Sequence, residues 1–393
     1  MKGLQKKEAI FTAIAVLLFS ALTDIASFMA GLLILRNPLN KLYLYKEISA
    51  EKDLETAYQN YLNKRDPTLG WPSPTQFGGG DFNELGARRT TVFNPPHPSQ
   101  SCISLYGDSF TYSDEVEHAY AWGNILAQRQ NCQVNNFGVG GYGTDQAYLR
   151  YLNNKNDRSP IVILGIYSEN IRRNVNQFRG FYRPGTGNKF GFKPRFITKD
   201  SGLKLVPIPD IPVEELEAFS AQPKRYLKHD FYIPGGMLRT RFQFPYSISL
   251  LKACWKMQRR DRIFPVSRYY TRHHPSGGLQ VTIEIVKQFQ ETALKRNQHP
   301  VVLFIPSSKA LKKYQATGEW EHQILRDELD KIDEISFWDS SEKFIDYLGN
   351  RSPNQLYLGE RGHSHFNQLG YAVLAEVAHE YLLEENLLNE WIN

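Results

Sequence analysis

The hydrophobic pattern of the chain opens with one long apolar run. Residues 9–35 are interrupted only by Asp24 and a few small polar residues, and about 20 apolar residues suffice for a helix to cross a bilayer. The alternative is a cleavable signal peptide, whose apolar core of about 7–15 residues would precede a small-residue cleavage site. Because apolar character resumes after Asp24, we favour an uncleaved transmembrane anchor at 9–35, preceded by a cytoplasmic tail at 1–8.

The orientation of this anchor and the role of Asp24 remain open at the level of sequence. Basic residues flank both ends of the run, so the positive-inside rule hardly decides the orientation. An eight-residue tail is too short to hold the function, which favours an extracytoplasmic location for the large remainder. A carboxylate at membrane depth is costly, so Asp24 indicates a partner helix, snorkelling or simple tolerance.

A polar stalk and lead-in, residues 36–98, follow the anchor. The apolar spacing of ISAEKDLETAYQNYLNKRD predicts one helix. Proline and glycine in DPTLGWPSPTQFGGGD end this helix, and NPPHPSQ closes the lead-in.

From Ser101 onwards, short apolar runs alternate with helical patterns. Five runs are typical of buried parallel strands, namely CISLYG, CQVNNFG, PIVILGI, PVVLFIPS and EISFWD. Since helices separate the runs, right-handed crossovers would cover both faces of the sheet. The pattern predicts a three-layer α/β/α sandwich with a five-stranded parallel sheet over residues 99–389, with an insert at 171–276.

Positive charge is concentrated in the insert. Residues 171–276 contain 21 Lys and Arg against 7 Asp and Glu, a net charge of +14, whereas the whole chain is +6. Arginines there are interleaved with aromatic residues, as in RDRIFPVSRYYTRHH. Such a segment forms either a solvated surface or a surface that faces something anionic, such as an acidic glycan, lipid headgroups or a negatively charged partner. An extracytoplasmic location argues against nucleic acid.

The three cysteines fit an oxidising compartment. Cys102 and Cys132 each open a predicted strand, and the first two strands of such a sheet are commonly neighbours. Their Cα atoms would then lie about 4.4–6.8 Å apart, as a disulfide requires, so we predict this bridge. Cys254, in the apolar and basic stretch LLKACWKM, is predicted to be a buried free thiol.

Chemically useful groups follow the predicted strands at their carboxyl ends, where the active sites of such sheets lie. Ser109 follows the first strand in YGDSFT, and the glycine-rich turn NFGVGGYGTDQ follows the second. Asn170 follows the third strand, and the last loop supplies His365 in HSHFNQLG. A hydroxyl, backbone N–H donors, an amide and an imidazole at one edge are the parts that acyl transfer needs.

These blocks, in this order, resemble those of the SGNH (GDSL-type) hydrolase superfamily. GDSFT matches its nucleophile block, NxGVGGxGTDQ its glycine block and HFNxxG its histidine block, whereas Glu169-Asn170-Ile171 stands where the family commonly has Gly-Asn-Asp. LGWPSP and FNELGARR also resemble the lead-in of membrane-tethered bacterial members, so that the resemblance covers residues 68–384.

The resemblance implies a flavodoxin-like sandwich and specific roles for the site residues. Ser109 would be the nucleophile and His365 the general base, while Ser109 N–H, Gly141 N–H and the Asn170 amide would form the oxyanion hole. Asp108 would brace the turn. We expect no cofactor. We also expect no metal, because the pair His363 and His365 lacks an obvious third ligand.

One part of the family's catalytic pattern is missing. The family has an aspartate two or three residues before the histidine, where this chain has His363 and Gly362. Losing the acid that orients the base can lower turnover about 10⁴-fold. A backbone carbonyl could hold the imidazole instead, and more distant carboxylates are further alternatives: Glu360, Asp339 and Glu342. We favour a Ser–His dyad or Glu360.

The pattern as a whole indicates a membrane-anchored, extracytoplasmic serine esterase or O-acyltransferase. Its substrate would be an acyl ester, with acylated and acidic carbohydrate as one candidate, although the assignment to carbohydrate rests on analogy. The competing hypothesis is a glycan-binding or assembly module that keeps the fold without efficient catalysis.

Overall fold

The computed structural model describes most of the chain: residues 2–36, 44–45, 52–70, 82–88, 101–182, 191–199, 202–233, 240–263, 265–359 and 365–387. The chain divides into two compact units. The N-terminal unit contains Met1–Asn63, Asn176–Phe192 and Pro209–Pro265, and the sheet unit contains Lys64–Val175, Lys193–Ile208 and Val266–Asn393.

Nine strands are present in the described part of the chain. In chain order they are β1 (Leu44–Tyr45), β2 (Ser101–Tyr106), β3 (Gln133–Asn136), β4 (Ile161–Tyr167), β5 (Arg195–Lys199), β6 (Gly202–Val206), β7 (Thr240–Arg241), β8 (His299–Ile305) and β9 (Ser336–Asp339). Five of them form one sheet in the order β3-β2-β4-β8-β9, and each neighbouring pair is parallel. The two remaining pairs are β5 with β6, antiparallel, and β1 with β7, parallel.

The α-helices of the described residues vary from one turn to 35 residues. They are α1 (Lys2–Arg36), α2 (Lys52–Lys64), α3 (Ser109–Tyr112), α4 (Trp122–Gln130), α5 (Thr144–Asn153), α6 (Asn170–Arg173), α7 (Arg179–Tyr182), α8 (Leu216–Ala221), α9 (Pro223–Tyr226), α10 (Tyr246–Ile263), α11 (Val266–Tyr269), α12 (Gly278–Lys295), α13 (Ser308–Thr317), α14 (Gln323–Leu329), α15 (Ser340–Leu348) and α16 (Gln368–Glu384).

The five-stranded parallel sheet predicted from the sequence is confirmed, and its strands are the five apolar runs. The direction in which successive strands are added across the sheet reverses at β2, because β3 lies on one side of β2 and β4 on the other. This is the flavodoxin-like order, in which the ligand crevice lies at the carboxyl ends of the two strands that flank the switch point. Here those strands are β2 and β4, which lead to Ser109 and Asn170.

Helices cover both faces of the sheet, which completes the predicted three layers. Leu105 and Ile163 share one fully buried cluster with apolar residues of α4, α13, α15 and α16. Tyr106, the next residue along β2, points to the opposite face, where its ring lies 5.2 Å from that of Tyr151 in α5. Tyr151 in turn lies 5.2 Å from Phe289 in α12. Alternation along the strands therefore divides the core between the two faces.

The outcome for the cysteines is mixed. The predicted bridge between Cys102 and Cys132 is formed, with Cα atoms 6.1 Å apart, because β2 and β3 are neighbours. The prediction for Cys254 is wrong, since this free thiol is exposed. The reason is that α10 uses Ala253 for packing, which leaves Cys254 and its neighbours Leu251 and Trp255 on the outer surface.

The N-terminal unit combines α1 and α2 with two segments of the insert, Asn176–Phe192 and Pro209–Pro265. Within α1, Lys7–Leu35 is the one stretch of the described chain whose length and composition allow it to cross a membrane. The predicted helix of the stalk is α2. Its Tyr58 is fully buried and donates a hydrogen bond of 2.8 Å to the carbonyl of Ile211 in the insert. The stalk helix is therefore packed rather than isolated.

Candidate active site

Ser109 lies on a tight turn at the carboxyl end of β2. It is the first residue of α3 and is almost completely buried. Asp108 caps this short helix, since its Oδ1 accepts a hydrogen bond of 2.8 Å from the N–H of Phe110. The turn requires glycine at position 107, because a Cβ there would lie 1.9 Å from Oγ1 of Thr111. The sequence Gly-Asp-Ser therefore presents the serine at the rim of the sheet.

The second oxygen of Asp108 ties this turn to the end of β4. Oδ2 accepts hydrogen bonds from Nδ2 of Asn170 at 2.9 Å and from Nη1 of Arg173 at 2.8 Å. All three side chains are buried, so the guanidinium compensates a carboxylate that has left water. The bracing role expected for Asp108 is thus observed. Arg173 is a partner that the sequence did not identify.

Asn170 reaches the site, but its amide is already engaged. Its Oδ1 accepts from the N–H of Tyr167 at 2.8 Å, and its Nδ2 donates to Asp108 and, at 3.3 Å, to the carbonyl of Tyr142. An amide nitrogen carries two hydrogens. Its part in an oxyanion hole therefore requires the longer bond, to Tyr142, to be exchanged for one to the substrate.

The glycine block is attached to the same turn. The N–H of Val139 donates to the carbonyl of Gly107 at 3.1 Å, and that of Phe137 donates to Leu105 at 2.7 Å. Gly141 has a φ of 81°, a backbone conformation that favours glycine, and it is partly exposed. The structure therefore brings Gly141 to the edge of the sheet that carries Ser109 and Asn170.

His365 is positioned by the loop before α16. The N–H of Leu358 donates to its carbonyl at 2.8 Å, and the following residue, Phe366, is fully buried. The imidazole lies against Phe110, with ring centroids 5.1 Å apart. Phe110 directly follows Ser109, so the imidazole contacts the residue next to the predicted nucleophile.

Two carboxylates that sequence analysis did not consider face this imidazole. Glu115 Oε2 lies 3.4 Å from Nδ1 of His365, and Asp114 Oδ2 lies 4.0 Å from Nε2. Nδ1 is buried and has no hydrogen-bond partner among the described residues. Both carboxylates follow Ser109 on one loop, so the acidic group stands after the nucleophile rather than before the histidine.

The carboxylates proposed from the sequence have other surroundings. Asp339 accepts a hydrogen bond of 2.8 Å from buried His322, and Glu342 pairs with Arg326. Glu360 and His363 lie outside the described residues. Glu360 therefore stays a prediction, whereas Asp339 and Glu342 are engaged elsewhere.

The loop that carries the two carboxylates is held by Arg88, an arginine of the lead-in block FNELGARR. This buried side chain donates to the carbonyls of Ser113 at 2.8 Å and Val116 at 3.0 Å, and also to that of Tyr112. Ser113 and Glu115 have φ values of 69° and 68°, a conformation that costs about 1–2 kcal/mol for a residue with a Cβ. Arg88 thus stabilises a strained loop beside the site.

Charge within the site is unevenly distributed. Burial raises the pKa of Asp114, and the opposing attraction of His365 does not cancel this effect. Glu115 is about half exposed, with 51% of its side-chain surface accessible. The two carboxylates on opposite sides of the imidazole thus differ in their exposure to solvent, and burial favours the protonated form of Asp114.

Comparison with known proteins gives likeness in fold only. No family model matches the chain, and no curated protein matches its sequence. Among solved structures it is similar to a protein assigned to the G-D-S-L family of lipolytic proteins from Desulfitobacterium hafniense DCB-2. That likeness has 13% identity and a TM-score of 0.34, and it covers 71% of this chain and 98% of the other. It is also similar to TesA, with 9% identity and a TM-score of 0.36 over 71% of this chain and 97% of the other.

Proposed function

We propose that the protein is a serine esterase or O-acyltransferase of SGNH type that acts on acyl esters. One observation carries the proposal: His365 packs beside the residue that follows Ser109, on a turn whose Asp108 is fixed by Asn170 and Arg173. These contacts support the proposal because it needs a nucleophile, a base and donors for an oxyanion at one edge of the sheet.

In the proposed reaction, Oγ of Ser109 attacks the acyl carbonyl while its proton passes to Nε2 of His365. The tetrahedral oxyanion is bound by the backbone N–H groups of Ser109 and Gly141 and by the Asn170 amide. Collapse releases an alcohol, which takes the proton from His365, and leaves an acyl-serine. Water or a second hydroxyl then attacks this ester, so hydrolysis and transfer use the same residues.

Glu115 is proposed as the carboxylate that orients His365. It faces Nδ1, the nitrogen opposite to the one that receives the proton from serine, and a carboxylate in that position fixes the tautomer and stabilises the imidazolium. The present 3.4 Å separation is longer than a strong N–H···O bond. Contacts of this kind commonly tighten only when substrate is bound.

The proposed location is the membrane, with the catalytic part outside the cytoplasm. Support comes from the apolar stretch of α1 and from the disulfide between Cys102 and Cys132, a bond that persists in oxidising compartments. Acylated carbohydrate is a candidate substrate because the insert is basic, with a net charge of +14 over residues 171–276.

Covalent labelling tests the serine mechanism directly. We expect a fluorophosphonate to modify the purified protein at Ser109, identified by mass spectrometry of the labelled peptide, because the probe reacts with activated serines. Aryl esters and acetylated saccharides, each assayed with and without an added sugar alcohol, would then separate hydrolysis from transfer. Absence of label, when a control esterase is labelled, would favour the glycan-binding module instead.

The variant Glu115→Gln should lower kcat for ester hydrolysis about 10- to 100-fold with little change in KM. The change removes the charge that stabilises the imidazolium in the transition state, and partial exposure to solvent reduces this loss below that of a buried acid. Steady-state kinetics on an aryl ester measure it. Glu117→Gln is the matched control, an exposed carboxylate two residues away, and equal losses in both variants would contradict the assignment.

Asp114, the other carboxylate near His365, is expected to affect the stability of the fold. Because the folded-state pKa of Asp114 is raised, its ionised form destabilises the fold above that pKa. Asp114→Asn should therefore raise Tm at pH 7, and the gain should vanish below the unfolded pKa of about 3.9. A gain that persists unchanged at low pH would show that charge is not its origin.

A further inference from the structure

The insert contains an apolar surface that adjoins α1. Four large side chains between β7 and the middle of α10 are strongly exposed: Phe244 (72%), Ile248 (47%), Leu251 (70%) and Trp255 (52%). Beyond Trp255 the remaining eight residues of α10 change character, with four basic residues and one acidic residue in KMQRRDRI. Exposed apolar patches mark sites of interaction with a protein or a membrane.

The same segment is packed along the C-terminal half of α1. Phe242 and Tyr246 lie against Phe28, with ring centroids 6.0 Å and 4.8 Å apart. Gly31 allows this approach, since a Cβ there would lie 2.2 Å from the ring of Phe242. Residues 7–23 of α1 are exposed throughout, and the covered positions lie at or after Asp24. The insert therefore packs only against the C-terminal part of α1, from Asp24 onwards.

Asp24 is bound by the N-terminus of α10. Its Oδ1 accepts two hydrogen bonds of 2.8 Å from Ser247, one from the N–H and one from the hydroxyl, and the residue is 9% exposed. The first N–H groups of a helix have no partner within the helix and favour a negative charge. The polar residue that interrupts the apolar run of α1 is thus explained by a contact with the insert.

The depth of this contact follows from helix geometry. Asp24 precedes Arg36 by twelve residues, which is about 18 Å along α1 at 1.5 Å per residue. A bilayer has a hydrocarbon core about 30 Å thick. If α1 spans it with Arg36 near one surface, Ser247 lies within the hydrocarbon. The ten residues Tyr246–Trp255 then return about 15 Å, which brings the basic end of α10 close to the headgroups.

The turn before α10 is equipped for an apolar environment, where each backbone polar group needs a partner within the protein. Oγ of buried Ser249 donates to the carbonyl of Gln243 at 2.7 Å and accepts from its N–H at 3.4 Å. The N–H of Ser249 donates to the carbonyl of Pro245 at 3.2 Å. Pro245 itself has no N–H to satisfy.

We propose that residues 242–255, here termed the wedge, form a second membrane-embedded element that enters the leaflet beside α1 and returns without crossing it. Its occupant is the hydrocarbon of the bilayer, because exposed Phe244 of the wedge lines one groove with Ala21 and Ile25 on the exposed apolar surface of α1. The inference rests on the membrane anchor within the proposed function and is independent of the esterase chemistry.

Nitroxide depth measurement on the full chain in phosphatidylcholine and phosphatidylglycerol liposomes tests the wedge. In a Cys254→Ser background, single labels are placed through Leu251→Cys in the wedge, Leu22→Cys in α1 and Leu383→Cys in α16, all at exposed leucines. We expect the ratio of oxygen to nickel-chelate accessibility at the Leu251 site to approach that at the Leu22 site and to exceed that at the Leu383 site.

Each other outcome has a definite meaning. A water-like ratio at the Leu251 site with a lipid-like ratio at the Leu22 site would overturn the wedge and keep the anchor, leaving the apolar face to a protein partner. Water-like ratios at both sites would overturn the anchor as well. Native-like Tm for the Leu251→Cys variant ensures that a water-like ratio does not reflect unfolding.

Discussion

Replacing Ser109 with alanine is expected to reduce ester hydrolysis on the order of 10⁴- to 10⁶-fold, the range found when a catalytic serine is removed, while Tm stays nearly constant. The activity falls because no acyl-serine can form. The fold should tolerate the change because Asp108, rather than Ser109, caps α3 and holds Asn170 and Arg173. The measurement is initial rate on an aryl ester together with thermal unfolding.

Ser113 provides a control with the opposite pattern. It lies four residues further along and is fully buried, and its Oγ accepts a hydrogen bond of 3.3 Å from the N–H of Trp122. Ser113→Ala should therefore cost about 1 kcal/mol of stability and leave the rate largely intact. If Ser109→Ala retained more than a small fraction of activity, the serine mechanism would be wrong, and a glycan or partner affinity that survived it would favour the binding module.

The sheet was predictable from the sequence because parallel strands are buried on both faces. PIVILGI is an example: six of its residues lie in β4, whose seven residues are all buried, and an apolar run of that length between helices can hardly form anything else. The order of residues at the strand ends was predictable for the same reason, since every parallel strand delivers its next loop to one edge. Ser109 and Asn170 follow β2 and β4, the pair at the switch point.

The carboxylates near His365 were not predictable, because their position depends on loop geometry rather than on spacing. Glu115 faces the imidazole only because Ser113 and Glu115 adopt positive φ, and Arg88, 27 residues earlier, holds the carbonyls of that loop. No local sequence pattern predicts the positive φ values or the hydrogen bonds from Arg88. The sequence-based prediction assumed that the acid lies close to His365 in sequence, and it therefore named Glu360 instead.

The basic insert shows a related limit on what composition can predict. Counting charge suggested a surface, either solvated or facing an anion, yet three of its basic residues are buried: Arg173, Lys193 and Arg195. Arg173 neutralises Asp108, and Lys193 neutralises Asp145 in α5. Part of the positive charge therefore serves internal ion pairs that no count of lysines and arginines can distinguish from exposed ones.

The second large effect is expected at one of these pairs. Lys193→Met should lower the free energy of unfolding by about 3–5 kcal/mol, because it leaves the carboxylate of Asp145 buried without a cation. Both side chains are at most 2% exposed, and Nζ of Lys193 also donates to the carbonyl of Arg173 at 3.2 Å. Denaturant unfolding measures the loss. Lys199→Met, at an exposed lysine of the same insert, should change stability by less than about 0.5 kcal/mol.

The pH dependence of this loss identifies its cause. Burial already raises the pKa of Asp145, and the attraction of Lys193 opposes that rise, so removing the lysine raises the pKa further. Protonated Asp145 needs no cation, and the penalty of Lys193→Met should therefore shrink as pH falls through that raised value. Adding Asp145→Leu should recover most of the loss at pH 7, because two apolar side chains leave no buried charge. A penalty that is equal at pH 4 and pH 7, and that the second substitution does not relieve, would instead mean that Lys193 matters for its packing and its hydrogen bond to Arg173.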